Sequence, residues 1–102
     1  MASGTIPNPN TKMGKYLGAF NTQAALETAL DSLCSSTPAY AGINFYFDAG
    51  SGFTPFYGTI YAGTFYRLAH AERAWFIVSD CFGRLIYGRK NSSWTLSQIS
   101  YS

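Results

Sequence analysis

The chain has 102 residues, room for one compact core and too few for two domains. Charged residues make up 12% and aromatic residues 18%, against about 25% charged in an average soluble domain. That balance argues against disorder and against a helical bundle and favours a β-protein, because Tyr and Phe suit pleated, half-buried surfaces.

A net charge of +2 is too small to mark a nucleic-acid binder, whose affinity rests on many phosphate contacts. No apolar run approaches the roughly 20 residues that a membrane helix needs. Met1-Ala2-Ser3-Gly4-Thr5-Ile6-Pro7 has neither the basic nor the apolar region of a signal peptide, so a cytoplasmically made protein is expected. Cys34 and Cys81 form one bridge at most, and free buried thiols are the expectation for such a protein.

Residues 1–14 stand apart from the rest of the chain. Ile6-Pro7-Asn8-Pro9-Asn10-Thr11-Lys12 carries two prolines, which hold the preceding residues extended and withhold ladder donors. Two readings stand for it: a frayed terminus, or an extended arm that orders on a partner.

The spacing then predicts a helix over 22–34. Asn21 or Thr22 supplies an N-cap oxygen, and Leu26, Leu30 and Leu33 form one apolar stripe with Ala29 beside them. Phe20 is placed to staple onto the first turn, and Ser35-Ser36-Thr37-Pro38 ends the helix. Glu27 and Asp31 share an outer, solvated face.

From Ala41 the period changes to two. Ile43, Phe45 and Phe47 share one face of a strand, and Asn44, Tyr46 and Asp48 share the other. Ala49-Gly50-Ser51-Gly52 is a turn, and 56–61 reads as a further β-rich stretch. Gly58-Thr59-Ile60-Tyr61 and Gly63-Thr64-Phe65-Tyr66 look alike but lie five residues apart. An odd offset puts equivalent side chains on opposite faces of a continuous strand, so a break at Ala62-Gly63 and a separate strand over 65–69 are expected.

His70-Ala71-Glu72-Arg73 reads as a turn. The strand at 74–79 is apolar on both faces, the mark of a central strand or of one buried between a core and a neighbouring subunit. Asp80-Cys81-Phe82-Gly83 loops into a strand at 84–89, 90–93 turns again, and 94–99 closes the chain. The expected fold is α+β: one short helix packed on a mainly antiparallel sheet of five or six strands, a β-rich knob over 15–102.

Catalytic constellations are sparse. The one histidine, His70, lies in a polar turn, and Ser79 and Asp80 match a triad by residue type alone. One His and two Cys at 34, 70 and 81 lack metal-ligand spacing, so no metal and no cofactor are expected. Asp48, Glu72 and Asp80 are the carboxylates from which a glycan hydrolase would draw a pair. Arg84, Arg89 and Lys90 among Leu85, Tyr87 and Trp94 are the residues that a single-stranded nucleic-acid-binding β-domain would use. Strand-edge charge is the plainer account of these cations.

The excess of rings points elsewhere. Eighteen rings exceed what so small a core holds, so several should be exposed or buried against another chain. Tyr57, Tyr61, Tyr87, Arg89 and Trp94 are the candidate surface or interface contacts.

Leu17-Gly18-Ala19-Phe20-Asn21-Thr22 followed by an Ala-rich helix resembles the opening of C-terminal knob domains in fibre and appendage proteins of tailed phages and prophages from gut anaerobes. The later order is similar too: Phe65-Tyr66-Arg67-Leu68, then Ala74-Trp75-Phe76-Ile77-Val78, then Ile86-Tyr87-Gly88-Arg89 with Ser93-Trp94. An aromatic-Arg strand and a Ser-Trp closing segment also end the knobs of pyocin-type tail fibres. The likeness covers 16–99 and implies a non-enzymatic virion protein, displayed for adhesion to host glycan or surface protein. It further implies a homo-oligomer, with a trimer favoured over a dimer. Such fibres carry a long shaft before the knob, whereas this chain has only the Pro/Asn arm, which suits a short head fibre, a decoration protein or a small appendage. Ile6, Pro7, Pro9 and Met13 are then the candidate anchor to other virion proteins. A nucleic-acid-binding domain is the alternative, and a small glycan hydrolase the third reading.

Overall fold

The computed structural model describes residues 14–99, and the candidate anchor residues Ile6, Pro7, Pro9 and Met13 lie outside them. The elements run β1 (Lys15–Phe20), α1 (Gln23–Ser36), β2 (Gly42–Ala49), β3 (Ile60–Arg67), β4 (Arg73–Ser79), β5 (Leu85–Asn91) and β6 (Ser93–Ile99). They form one six-stranded sheet in the order β1-β2-β3-β4-β5-β6. β1 pairs parallel with β2, and every later pair is antiparallel. A parallel pair needs a crossover, and α1 is that crossover. The fold is thus α+β, with one helix on a mostly antiparallel, β-rich sheet.

The helix forms where its leucines predict. Thr22 caps it, its hydroxyl accepting from the Ala25 amide at 3.2 Å. At the other end the Arg67 guanidinium on β3 donates to the carbonyls of Thr37, at 2.6 Å, and Cys34, at 3.5 Å. A cation there satisfies orphan carbonyls and complements the helix dipole. Leu26, Leu30, Leu33 and Cys34 are buried against one face of the sheet.

That covered face is the core. Alternate residues supply Phe45, Phe47 and Ala49 from β2, Tyr61 and Phe65 from β3, Ala74, Phe76 and Val78 from β4, Ile86 from β5, and Trp94 from β6. Phe45 meets Phe65 and Phe76 edge to face, with centroids 6.3 and 5.8 Å apart. The loop between β2 and β3 folds under one end of the sheet and inserts Phe56 against Phe47 and Tyr61.

Two elements differ from the sequence reading. β1 is a strand where none is expected, and the stretch at 56–61 is mostly loop. β3 also runs unbroken through Ala62 and Gly63. Its continuity makes the two Gly-Thr look-alikes a coincidence: Ile60 and Phe65 do fall on opposite faces, as parity demands. Gly63 occupies a close approach rather than a turn, since a Cβ there would lie 2.8 Å from the Ile77 carbonyl carbon and the Val78 Cα.

Candidate functional site

The helix lies on one face of the sheet only, so the other face is open among the described residues. Its residues follow from register. One row crosses the strands as Tyr46, Ala62, Ser79, Leu85 and Ile99; the next as Asn44, Thr64, Ile77, Tyr87 and Ser97. A third row is Gly42, Tyr66, Trp75, Arg89 and Thr95. Ile60 and Asp48 stand at one end of the face and Arg73 at the other.

An open antiparallel face ordinarily alternates to polar residues. Here it is largely apolar. Ile60 is 58% exposed, Tyr16 51%, and Tyr46 and Ile99 36% each, which is unusual for large side chains in regular strands. Tyr16 of β1 packs its ring on Tyr46 at 5.1 Å, and Tyr66 stacks on Trp75 at 5.7 Å. Between Tyr46 and Leu85 the small residues Ala62 and Ser79 floor a trough of about 790 Å³ that stays open along its length. Its polar groups are spent on neighbours. The Thr64 hydroxyl donates to Asn44 Oδ1 at 2.8 Å, and the Tyr66 hydroxyl to the Tyr40 carbonyl at 3.0 Å.

The five residues expected to make surface contacts do not share this face. Tyr87 and Arg89 lie on it, half-buried and exposed respectively. Tyr61 is fully buried in the core, its hydroxyl accepting from the Tyr57 amide at 3.1 Å. Trp94 is buried too, its indole N–H donating to Asp31 Oδ1 at 2.9 Å. Both point toward the helix because of strand parity, so neither is available as a surface contact. Tyr57 is exposed but sits in the loop before β3, where its hydroxyl donates to Gln98 Oε1 at 2.7 Å and the Arg84 guanidinium covers its ring at 4.3 Å.

The rings divide as the sequence arithmetic demands. Phe45, Phe47, Phe56, Tyr61, Phe65, Phe76 and Trp94 are buried, whereas Tyr16, Tyr40, Tyr46, Tyr57 and Phe82 are exposed.

The cations of the nucleic-acid reading occupy three separate environments. Arg84 pairs with Asp80 at 3.3 Å, Arg89 is on the open face, and Lys90 is buried on the helix side. Lys90 donates to Asp31 at 2.8 Å and lies 3.5 Å from Glu72. Asp31, expected only to face solvent, therefore joins the helix to β5 and β6. Partial burial pushes the Asp31 carboxyl up, but hydrogen bonds from Lys90 and Trp94 and the Lys90 charge outweigh it and hold it below the usual value. Burial lowers Lys90, and the bond and charge of Asp31 more than reverse that.

The carboxylates of the hydrolase reading do not gather: Asp48 stands on the open face, whereas Asp80 is buried beside Thr59 and Arg84. Glu72 and Asp80 flank the seven residues of β4, a span of about 26 Å against the roughly 5–9.5 Å of a glycosidase pair. Asp80 is engaged throughout. It accepts from the amides of Phe82 and Arg84 at 2.9 Å each and from the Thr59 hydroxyl at 3.2 Å. Burial raises its pKa, while those bonds and the Arg84 charge bring it below the ordinary value. His70 and Ser79 also lie at opposite ends of β4. Among the described residues no three His, Cys, Asp or Glu side chains gather as a metal site requires, and no helix is long and apolar enough to cross a membrane. Both thiols are free; Cys34 is buried on the helix, but Cys81 is exposed, contrary to expectation, because it sits in the loop between β4 and β5.

The open face is visible in the sequence only through β4, whose apolar residues occupy both faces. Tyr16, Ile60, Ala62 and Leu85 carry no such signal, since each depends on the register of its strand. Comparisons of the chain with family models, with curated proteins and with solved structures return no match.

Proposed function

We propose that this chain is a non-enzymatic structural and attachment protein of a phage virion, a displayed knob of head-fibre, decoration or tail-fibre type. The observation that carries the binding part is the apolar sheet face, which no element among the described residues covers. A monomer that worked by chemistry in solution would gain nothing from leaving it bare, whereas a domain that assembles or adheres needs such a surface. The dispersal of Asp48, Glu72 and Asp80 and of Arg84, Arg89 and Lys90 favours this reading over the hydrolase and nucleic-acid alternatives. The virion part rests on the resemblance over 16–99. On this reading the domain is a homo-oligomer displayed toward host glycan or surface protein, and 1–14 hold it to other virion proteins.

The test is incorporation. Gold-labelled antibody against the domain should decorate purified particles. A chain lacking 1–14 should keep its circular dichroism and be absent from particles. Particles that never carry the protein, from a host that makes it in quantity, would refute the virion reading.

A further inference from the structure

We propose that the open sheet face is covered by a second copy of this chain, packed face to face about a twofold axis. The inference deepens the oligomeric part of the function proposed above and rests on it.

Shape comes first. The trough floored by Ala62 and Ser79 is open along its length, so it cannot enclose a small ligand as binding pockets do. It requires a broad occupant. Beside it stand the ridge of Tyr46 and Tyr16 and the protruding Ile60. On the same two strands as the trough floor, two rows further along, stands the stacked pair of Tyr66 and Trp75; a twofold axis that crosses the strands at the Thr64–Ile77 row lays each copy's pair over the other's trough, which is what an isologous interface needs. Twisted sheets of one hand pack face to face with their strands inclined by about 30°.

Area comes second. Six strands about 4.8 Å apart and seven residues of about 3.3 Å each give a face of roughly 550 Å². Two such faces, with their side-chain relief, bury on the order of 1,200 Å², the lower end of stable interfaces. The Thr64 and Tyr66 hydroxyls already have partners on the same copy, so burial strands neither.

Charge sets the orientation. The rows of Tyr46 and of Asn44 have no charged side chain. Asp48 stands at one end, and Arg73 and Arg89 stand toward the other. If the strands of the two copies run antiparallel, the acidic end of each lies over the basic end of its partner. The parallel arrangement would place like charges together.

The experiment uses the full chain. Light scattering after size exclusion should give twice the chain mass at tens of micromolar. Ala62→Arg, at an exposed floor position, should weaken self-association at least about tenfold while leaving the circular dichroism unchanged. Ile60→Lys, at the exposed rim, should act in the same direction, so the result does not hang on one variant's folding. A monomer at every concentration overturns the inference together with the oligomeric part of the proposed function. An oligomer indifferent to Ala62→Arg and Ile60→Lys overturns the face assignment alone, and a trimeric mass overturns the twofold arrangement.

Discussion

Gly88 tests how tightly the core face is built. Its backbone does not lie in the left-handed region, so the peptide chain accepts alanine, and in a strand that change alone would stabilise by about 0.5–1 kcal/mol. The neighbouring strand reverses the sign. Phe76 lies directly across from Gly88, and a Cβ there would overlap the edge of the Phe76 ring at Cε2 and Cζ and lie 2.8 Å from Leu96 Cδ2. The ring has nowhere to retreat, with Phe45 at 5.8 Å and Trp94 at 5.7 Å behind it. Overpacking of this kind costs about 1–3 kcal/mol. Gly88→Ala should thus destabilise by roughly 1–2 kcal/mol and lower the melting midpoint by about 5–15 °C. Phe76→Leu should cost about 1–2 kcal/mol alone. In the double variant the new methyl fills part of the space the ring left, so the two changes should be less than additive by about 1 kcal/mol. Urea titrations at one fixed concentration measure all four corners, since an associating chain gains stability with concentration. An unchanged or raised midpoint for Gly88→Ala, or strict additivity, would refute the packing argument.

Gly63→Ala should be worse than Gly88→Ala, because the obstruction is the Ile77 and Val78 backbone; soluble yield and circular dichroism should show a chain that no longer folds. Asp80→Ala removes the acceptor for two amides and a hydroxyl, and thermal melts should register a loss of about 2–3 kcal/mol. The folded-state pKa of Asp31 is depressed, so the stability it contributes is present above about pH 4 and should be lost as pH falls through the folded value. Lys90 is raised, so its contribution is full below its ordinary value near 10.5 and should fade as pH climbs through the folded one. Asp31→Asn should flatten both limbs of a urea-midpoint profile against pH; an unaltered acid limb would contradict the tie. Native protein should react with a thiol reagent at Cys81 only, because burial pushes Cys34 up to about 11, and the second equivalent should appear on unfolding.

The sequence exposes local periodicity and hides pairing. α1 is readable because Leu26, Leu30 and Leu33 need only one another's spacing, and β2 because Phe45 and Phe47 alternate with Asn44 and Tyr46. β1 escapes because Lys-Tyr-Leu-Gly-Ala-Phe is short and carries Gly18 at φ 138°, and its partner, β2, lies across a helix. A parallel neighbour so far along the chain leaves no local mark. Tyr61 and Trp94 turn inward, against expectation, for a related reason. Which face a strand residue takes depends on where the strand begins, and the look-alike tetrads argue for a false break in β3. The Asp31 tie to Lys90 and Trp94 joins residues about sixty apart in the chain, beyond any spacing rule. The open face itself is half readable. Trp75 and Ile77 opposite Phe76 and Val78 in β4 show that both sides of the sheet are apolar, but nothing in the order of residues says that one helix covers only one of them.

Association through the bare sheet face is the central claim. Methyl NMR spectra recorded from the low micromolar to the millimolar range test it residue by residue. Shifts confined to Ile60, Ile77, Leu85 and Ile99, with Leu26 and Leu30 of the helix unmoved, are the predicted result. Spectra unchanged across the range, or changes centred on the helix, would contradict it.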